Sequence, residues 1–187
     1  MPSRLPPHVR TKLAPIQLLV LDVDGVLTDG TLLYAADGER LKTFNVRDGL
    51  AMVLLRQAGI EVAIITARSS DAVVTRCRDL GIRDELVVRG ARDKSAALDR
   101  LTADLDLDDS ELAAMGDDLP DLPMLHRAGF AFCPADAAPE VVAVCDHVCG
   151  RNGGRGAVRE AAEILLKARG RWAELVDGFA GPDVGRR

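Results

Sequence analysis

The sequence predicts an α/β fold: a Rossmann-like open parallel sheet with helices on both faces, a β-hairpin flap, and no separate cap domain. Three observations carry that expectation. Short apolar runs alternate with segments of helical spacing. Helical segments stop at glycines suited to the C′ position, such as Gly59, Gly81 and Gly129. One pair of short runs is joined by the turn signal Asp37-Gly38, which reads as a hairpin.

The elements follow in order. Leu18 to Leu21 is a first buried strand, and Thr31 to Phe44 folds back on itself as the hairpin, a flap beside that strand. Leu50, Val53, Leu54 and Ala58 recur at helical spacing, and Glu61 to Ile65 is the second strand. Val73, Val74, Cys77 and Leu80 line a helix, Leu86 to Val88 is the third strand, Ala96 to Leu105 is helical, and Leu112 to Met115 is the fourth strand. A helix over Leu122 to Ala128, a strand over Phe130 to Phe132, a short helix near Pro139 to Val144 and a long helix from Ala157 to Ala168 complete the domain. The expected division is a flexible, proline-rich leader over 1–15, one domain over 16–170, and a tail over 171–187.

Whole-chain properties narrow the function classes. At 187 residues the chain suits one well-buried domain. A net charge of -5 argues against a nucleic-acid surface, which needs a basic stripe. No apolar stretch approaches the roughly 20 residues that span a bilayer, and the leader lacks a signal-peptide core, so a cytoplasmic protein is expected. Cys77, Cys133, Cys145 and Cys149 contain no Cys-x-x-Cys pair and read as free thiols. His8, His126 and His147 are scattered, with no two-histidine ligand spacing, and read as surface or core residues.

The chemistry sits at strand ends. The first strand runs into Asp22-Val23-Asp24-Gly25-Val26-Leu27-Thr28-Asp29-Gly30, where two carboxylates alternate by two and so share one face of an extended chain. Alone this is a polar turn. The second strand, however, is followed by Thr66 and Arg68, the third at short range by Lys94, and the fourth by Gly116-Asp117-Asp118-Leu119-Pro120-Asp121. Taken together they place two aspartates, a hydroxyl, a lysine and a second acidic cluster on one rim, where open α/β sheets bind ligands. Phosphoryl transfer through a carboxylate needs such a set: an anionic nucleophile, cations to neutralise the phosphate, and a proton donor for the leaving oxygen. Hard carboxylate and carbonyl oxygens are the environment that Mg²⁺ prefers.

On these motifs the chain resembles the haloacid dehalogenase superfamily, and within it the 3-deoxy-D-manno-octulosonate 8-phosphate phosphatases, over nearly all of Leu18 to Arg169. Phe44-Asn45-Val46-Arg47-Asp48-Gly49-Leu50 and Gly153-Gly154-Arg155-Gly156-Ala157-Val158-Arg159-Glu160 are similar in detail. The resemblance implies a Mg²⁺-dependent phosphomonoesterase of lipopolysaccharide precursor synthesis. Asp22 would be the nucleophile and Asp24 the general acid and base. Thr66 and Lys94 would bind phosphate, and Asp22, the Asp24 main-chain carbonyl and Asp117 would hold the metal, with Asp118 or Asp121 orienting that shell. The chain departs from the commoner pattern at Ala67, where glycine is frequent, and at Asn45, where some members carry histidine.

Spacing bears on substrate choice. Gly25 to Ile65 is 41 residues and Ala67 to Asp93 is 27, and neither interval can hold a folded cap beside its own elements. The resemblance implies a homotetramer in which neighbours roof the site. Trp172, Leu175, Val176 and Phe179, at helical spacing, make an apolar stripe that either docks on its own domain or meets a partner. Arg68 and, more weakly, Arg76 are candidates for a sugar-acid carboxylate, which a guanidinium fork matches. Competing readings are a phosphatase for another sugar-acid phosphate, the phosphatase-like subunit of a phenylphosphate carboxylase, and a non-catalytic subunit.

Overall fold

The computed structural model describes residues 6–36 and 38–180. Pro7–Leu13, within the segment expected to be a flexible leader, form helix α1; Pro7 fits the first helical position, and Leu13 is buried. The chain then enters β1 (Leu18–Leu21), every residue of which is buried. The hairpin follows as β2 (Leu33–Ala35) and β3 (Gly38–Leu41), antiparallel, with Leu33 opposite Leu41. Asp37 of the expected turn lies outside the described residues, as do residues 181–187 of the tail.

Helix α2 (Val46–Gln57) starts at Asn45, whose side chain accepts from Arg47 N at 2.8 Å. The departure at Asn45 thus provides a helix cap. β4 (Glu61–Ile65), α3 (Asp71–Asp79) and the short β5 (Val87–Val88) come next. Asp93 caps α4 (Lys94–Leu105) through Ala96 N at 3.0 Å, which puts Lys94 at the first helical position. β6 (Leu112–Met115), α5 (Leu122–Arg127), β7 (Phe130–Cys133) and α6 (Pro139–Val142) match the expected order. A sixth strand of the sheet, β8 (His147–Val148), has too few residues for a periodic signal. α7 (Ala157–Ala168) and α8 (Trp172–Ala180) end the described chain.

The main sheet has the order β5-β4-β1-β6-β7-β8 and every pair is parallel. β1, β6 and β7 are buried throughout, as strands covered by helices on both faces must be. β1 is flanked by β4 on one side and β6 on the other. The chain winds outward to β5, returns beside β1 and then winds the other way, so the direction reverses at the β1–β6 boundary, the position at which such sheets open a ligand crevice. Among the described residues, 25–65 holds the hairpin, α2 and β4, and 67–93 holds α3, a 3-10 turn over Asp84–Leu86 and β5, so neither interval holds a cap domain.

The apolar stripe beyond α7 is split. Trp172 and Leu175 pack against the chain's own core, and Trp172 lies beneath Arg159 at 4.9 Å and Lys167 at 5.4 Å. Val176 and Phe179 are exposed.

Candidate active site

Asp22 directly follows β1 and is 6% exposed, while Lys94, from the start of α4, is 4% exposed. Their distance, Lys94 Nζ to Asp22 Oδ1, is 2.5 Å. The same ammonium pairs with Asp121. The other Asp121 oxygen accepts from Asp117 N at 2.9 Å and from Asp118 N at 3.3 Å, so this carboxylate fixes both the lysine and the turn after β6. Asp22, Asp117 and Asp121 offer oxygens that all lie within 4.8 Å of one another.

Asp22 and Asp121 share one buried lysine beside Asp117, and the excess of negative charge appears in the proton affinities of Asp22 and Asp117. Burial, and then the charge of Asp121, push Asp22 up to about 6 against the pull of Lys94. Burial, followed by Asp121 and Asp22, pushes Asp117 up to about 7. Burial alone would lower Lys94, but Asp22 and Asp121 outweigh it and raise its value. A compact, excess-negative set of hard oxygens fits a divalent cation, whose charge would hold Asp22 and Asp117 ionised.

Gly25 makes room for this set. It has φ +91, and a Cβ there would lie 2.0 Å from Asp117 Oδ2. The turn it begins is held from the far end of the chain: Gly154 N donates to Val26 O at 2.9 Å, and a Cβ on Gly153 would meet Gly25 O at 1.7 Å.

Asp24 lies toward the flap. Its carboxylate pairs with Lys42 of the segment after β3 and, at 3.6 Å, with Arg68 Nε. Arg68 Nη1 also donates to the Tyr34 hydroxyl at 3.0 Å, so the flap and the loop after β4 meet over this acid. Thr66 is 1% exposed, at the carboxyl end of β4 beside β1, and its hydroxyl accepts from Arg68 N at 3.2 Å.

Proteins similar to this chain are named for the same type of chemistry. The 3-deoxy-D-manno-octulosonate 8-phosphate phosphatase KdsC of Salmonella typhimurium is 44% identical over 168 residues, covering 90% of this chain and 88% of the relative. Its Haemophilus influenzae counterpart is 40% identical, covering 87% and 89%. A family model for haloacid dehalogenase-like hydrolases matches residues 85–161. The crystal structure of the Moraxella catarrhalis phosphatase, in complex with magnesium ion, phosphate ion and KDO, superposes with a TM-score of 0.88 at 40% identity, covering 92% of this chain and 98% of that one. This chain belongs to the 3-deoxy-D-manno-octulosonate 8-phosphate phosphatase family of haloacid dehalogenase-like hydrolases.

Against that family the residues expected from sequence divide into groups. Asp22, Lys94, Asp117 and Asp121 form one contiguous cluster, with Asp121 in direct contact with the lysine. Asp118 instead turns to its own segment, where Oδ1 accepts from Leu119 N at 2.8 Å. Arg68 reaches Asp24, whereas Arg76 lines a small apolar cavity with Leu27, Phe44 and Gly49, and its Nε has no hydrogen-bond partner.

Three residues of this region escaped the sequence reading. Lys42 and Tyr34 engage the Asp24–Arg68 pair, and the alternation Leu41-Lys42-Thr43-Phe44 was the available signal for the lysine. Asp48, 1% exposed, accepts from Arg159 N at 2.8 Å and Gly156 N at 3.2 Å and so caps α7 from α2. Its signal was an aspartate within a helix that must bury one face. No helix among the described residues is long and apolar enough to cross a membrane.

Proposed function

We propose that this family member hydrolyses 3-deoxy-D-manno-octulosonate 8-phosphate through an aspartyl-phosphate intermediate, with Mg²⁺ as cofactor, in lipopolysaccharide precursor synthesis. One observation carries the reading: a buried carboxylate, Asp22, held by Lys94 within an excess-acidic cluster at the sheet's switch point. The relatives' names and the magnesium and phosphate in the Moraxella complex support the substrate and cofactor.

In this mechanism an Asp22 oxygen attacks phosphorus as the bond from phosphorus to the sugar oxygen breaks. Asp24 gives its proton to that leaving oxygen. Asp24, now a carboxylate, takes a proton from water, whose oxygen attacks the phosphoenzyme and frees phosphate and Asp22. Lys94 and Thr66 bind the transferring phosphoryl oxygens, and Lys94 orients Asp22 before attack. The metal would be held by Asp22, the Asp24 main-chain carbonyl and Asp117, supplying charge neutralisation that lets an anion approach the phosphate. Asp121 would orient Lys94 and the Asp117 turn, and Arg68 would meet the sugar-acid carboxylate.

The catalytic domain spans residues 16–170 in this reading, with leader and tail at its flanks, and works in the cytoplasm as a homotetramer. Leu33, Tyr34 and Leu41 of the flap are exposed, which supports cover by a neighbouring subunit.

The test is phosphate release with Mg²⁺ across 3-deoxy-D-manno-octulosonate 8-phosphate, nonulosonate 9-phosphates, phenyl phosphate and hexose phosphates. Turnover is expected to be far faster on the first; a flat profile would remove the substrate assignment. Light scattering should give four chains per particle.

A further inference from the structure

Away from the catalytic cleft, the segment after β8 brings borderline metal ligands together. His147 and Cys149 lie two residues apart in extended chain: β8 pairs with β7, and Cys149 N continues that ladder by donating to Cys133 O at 2.8 Å. Side chains two apart leave a strand on the same side. There they meet Glu160 of the first turn of α7. One ligand atom from each of the three lies within 4.8 Å of the others.

The atoms are held there. Cys149 is 2% exposed. His147 Nε2 is 3.5 Å from Glu160 Oε1, is shut off from solvent, and has no hydrogen-bond partner. Gly150 N donates to both Glu160 oxygens, at 2.9 and 3.1 Å, which fixes the carboxylate toward the histidine. A solvent-shielded imidazole nitrogen without a hydrogen-bond partner is costly, and such groups call for an explanation.

We propose that His147, Cys149 and Glu160 form a second cation site, for a borderline transition-metal ion such as Zn²⁺, distinct from the carboxylate cleft. Imidazole, thiolate and carboxylate are the ligands that Zn²⁺ takes, whereas Mg²⁺ takes oxygen alone. In a zinc tetrahedron neighbouring ligand atoms sit about 3.5 Å apart, so side-chain rotations of roughly 1 Å close the site and leave a fourth position for water. Burial, then Glu160, raises the Cys149 thiol's pKa, so binding releases its proton to solvent as the metal–sulfur bond forms. The ion would tie the edge strand β8 to α7 at the base of the loop that carries Gly153 and Gly154 against the Gly25 turn.

Co²⁺ added to the full-length protein already saturated with Mg²⁺ tests this. A thiolate on Co²⁺ gives a near-ultraviolet charge-transfer band that the cysteine-free carboxylate cleft cannot produce. One equivalent is expected to generate the band, Zn²⁺ to displace it, and Asp117→Asn, an alteration in the cleft, to leave it intact. Cys149→Ser should abolish it. His147→Gln, which leaves the buried thiol in place, should weaken Co²⁺ binding at least about tenfold and remove the rise in Tm that Zn²⁺ gives the unaltered protein. Co²⁺ binding without the band, or an undiminished band in folded His147→Gln or Cys149→Ser protein, would overturn the assignment.

Discussion

Asp48→Ala removes a carboxylate that acts as the cap of a helix to which it does not belong. The residue before α7, Gly156, has φ +107 and no side chain to cap the helix, so the first amides need an outside acceptor. Asp48 on α2 supplies it, 108 and 111 residues away in sequence, through Gly156 N at 3.2 Å and Arg159 N at 2.8 Å. Each buried amide left without an acceptor costs about 1–3 kcal/mol, and lost caps cost about 0.5–2 kcal/mol, so a loss of ~3 kcal/mol is expected. For a chain of this size that lowers Tm by roughly 6–12 °C. Asp48→Asn keeps an acceptor and should lose ~1 kcal/mol.

The pH dependence has a definite sign. Burial raises the Asp48 carboxyl above 3.8, against the pull of its two amides. Its contribution is therefore fully present below the unfolded value and lost as pH rises through the folded one. The deficit of Asp48→Asn relative to the unaltered protein should be larger near pH 4 than at pH 8, by urea denaturation at both. A Tm for Asp48→Ala within 2 °C of the parent would refute the capping argument.

Other substitutions probe the cleft. Asp22→Asn should reduce phosphate release by more than about 1,000-fold while leaving Tm equal or higher, because burial already opposes charge at this position; a large drop in Tm would contradict that. Gly25→Ala meets both the positive φ and the Asp117 oxygen, and calorimetric titration should show Mg²⁺ binding weakened about tenfold or more. Lys94→Met leaves Asp22 and Asp121 without their buried counter-charge and should cost about 3–5 kcal/mol without Mg²⁺, a loss that Mg²⁺ partly restores in a thermal scan.

The parts of this molecule legible in the sequence are those written in local pattern. Continuous apolar runs marked the buried strands, and motif order put Thr66, Lys94 and Asp117 at strand ends on one rim, but the shared face expected for Asp22 and Asp24 does not form, because the strand ends at Leu21 and the turn at Asp24 swings its carboxylate toward the flap. β8 was invisible because His147–Val148 belongs to no apolar run, whereas the equally short β5 continues the run from Leu86 to Val88. The Lys42–Asp24 and Tyr34–Arg68 contacts depend on how far the hairpin leans over the rim, which alternation within the hairpin does not encode.

Asp48 shows the deeper reason. Its partners lie more than 100 residues downstream, and what a one-dimensional reading records is only an acidic residue in an amphipathic helix. The contact nevertheless bears on catalysis, because the segment it anchors is the one whose Gly154 holds Val26 and whose Gly153 abuts Gly25. The nucleophile's turn is therefore shaped from two directions: by β1, which delivers Asp22, and by the start of α7, which closes over the turn behind it. If that is so, Asp48→Ala should lower kcat at temperatures well below its Tm, with the Mg²⁺-saturated rate falling while KM stays near the parent's. A loss confined to thermal stability, with full kcat in the cold, would separate the brace from the chemistry.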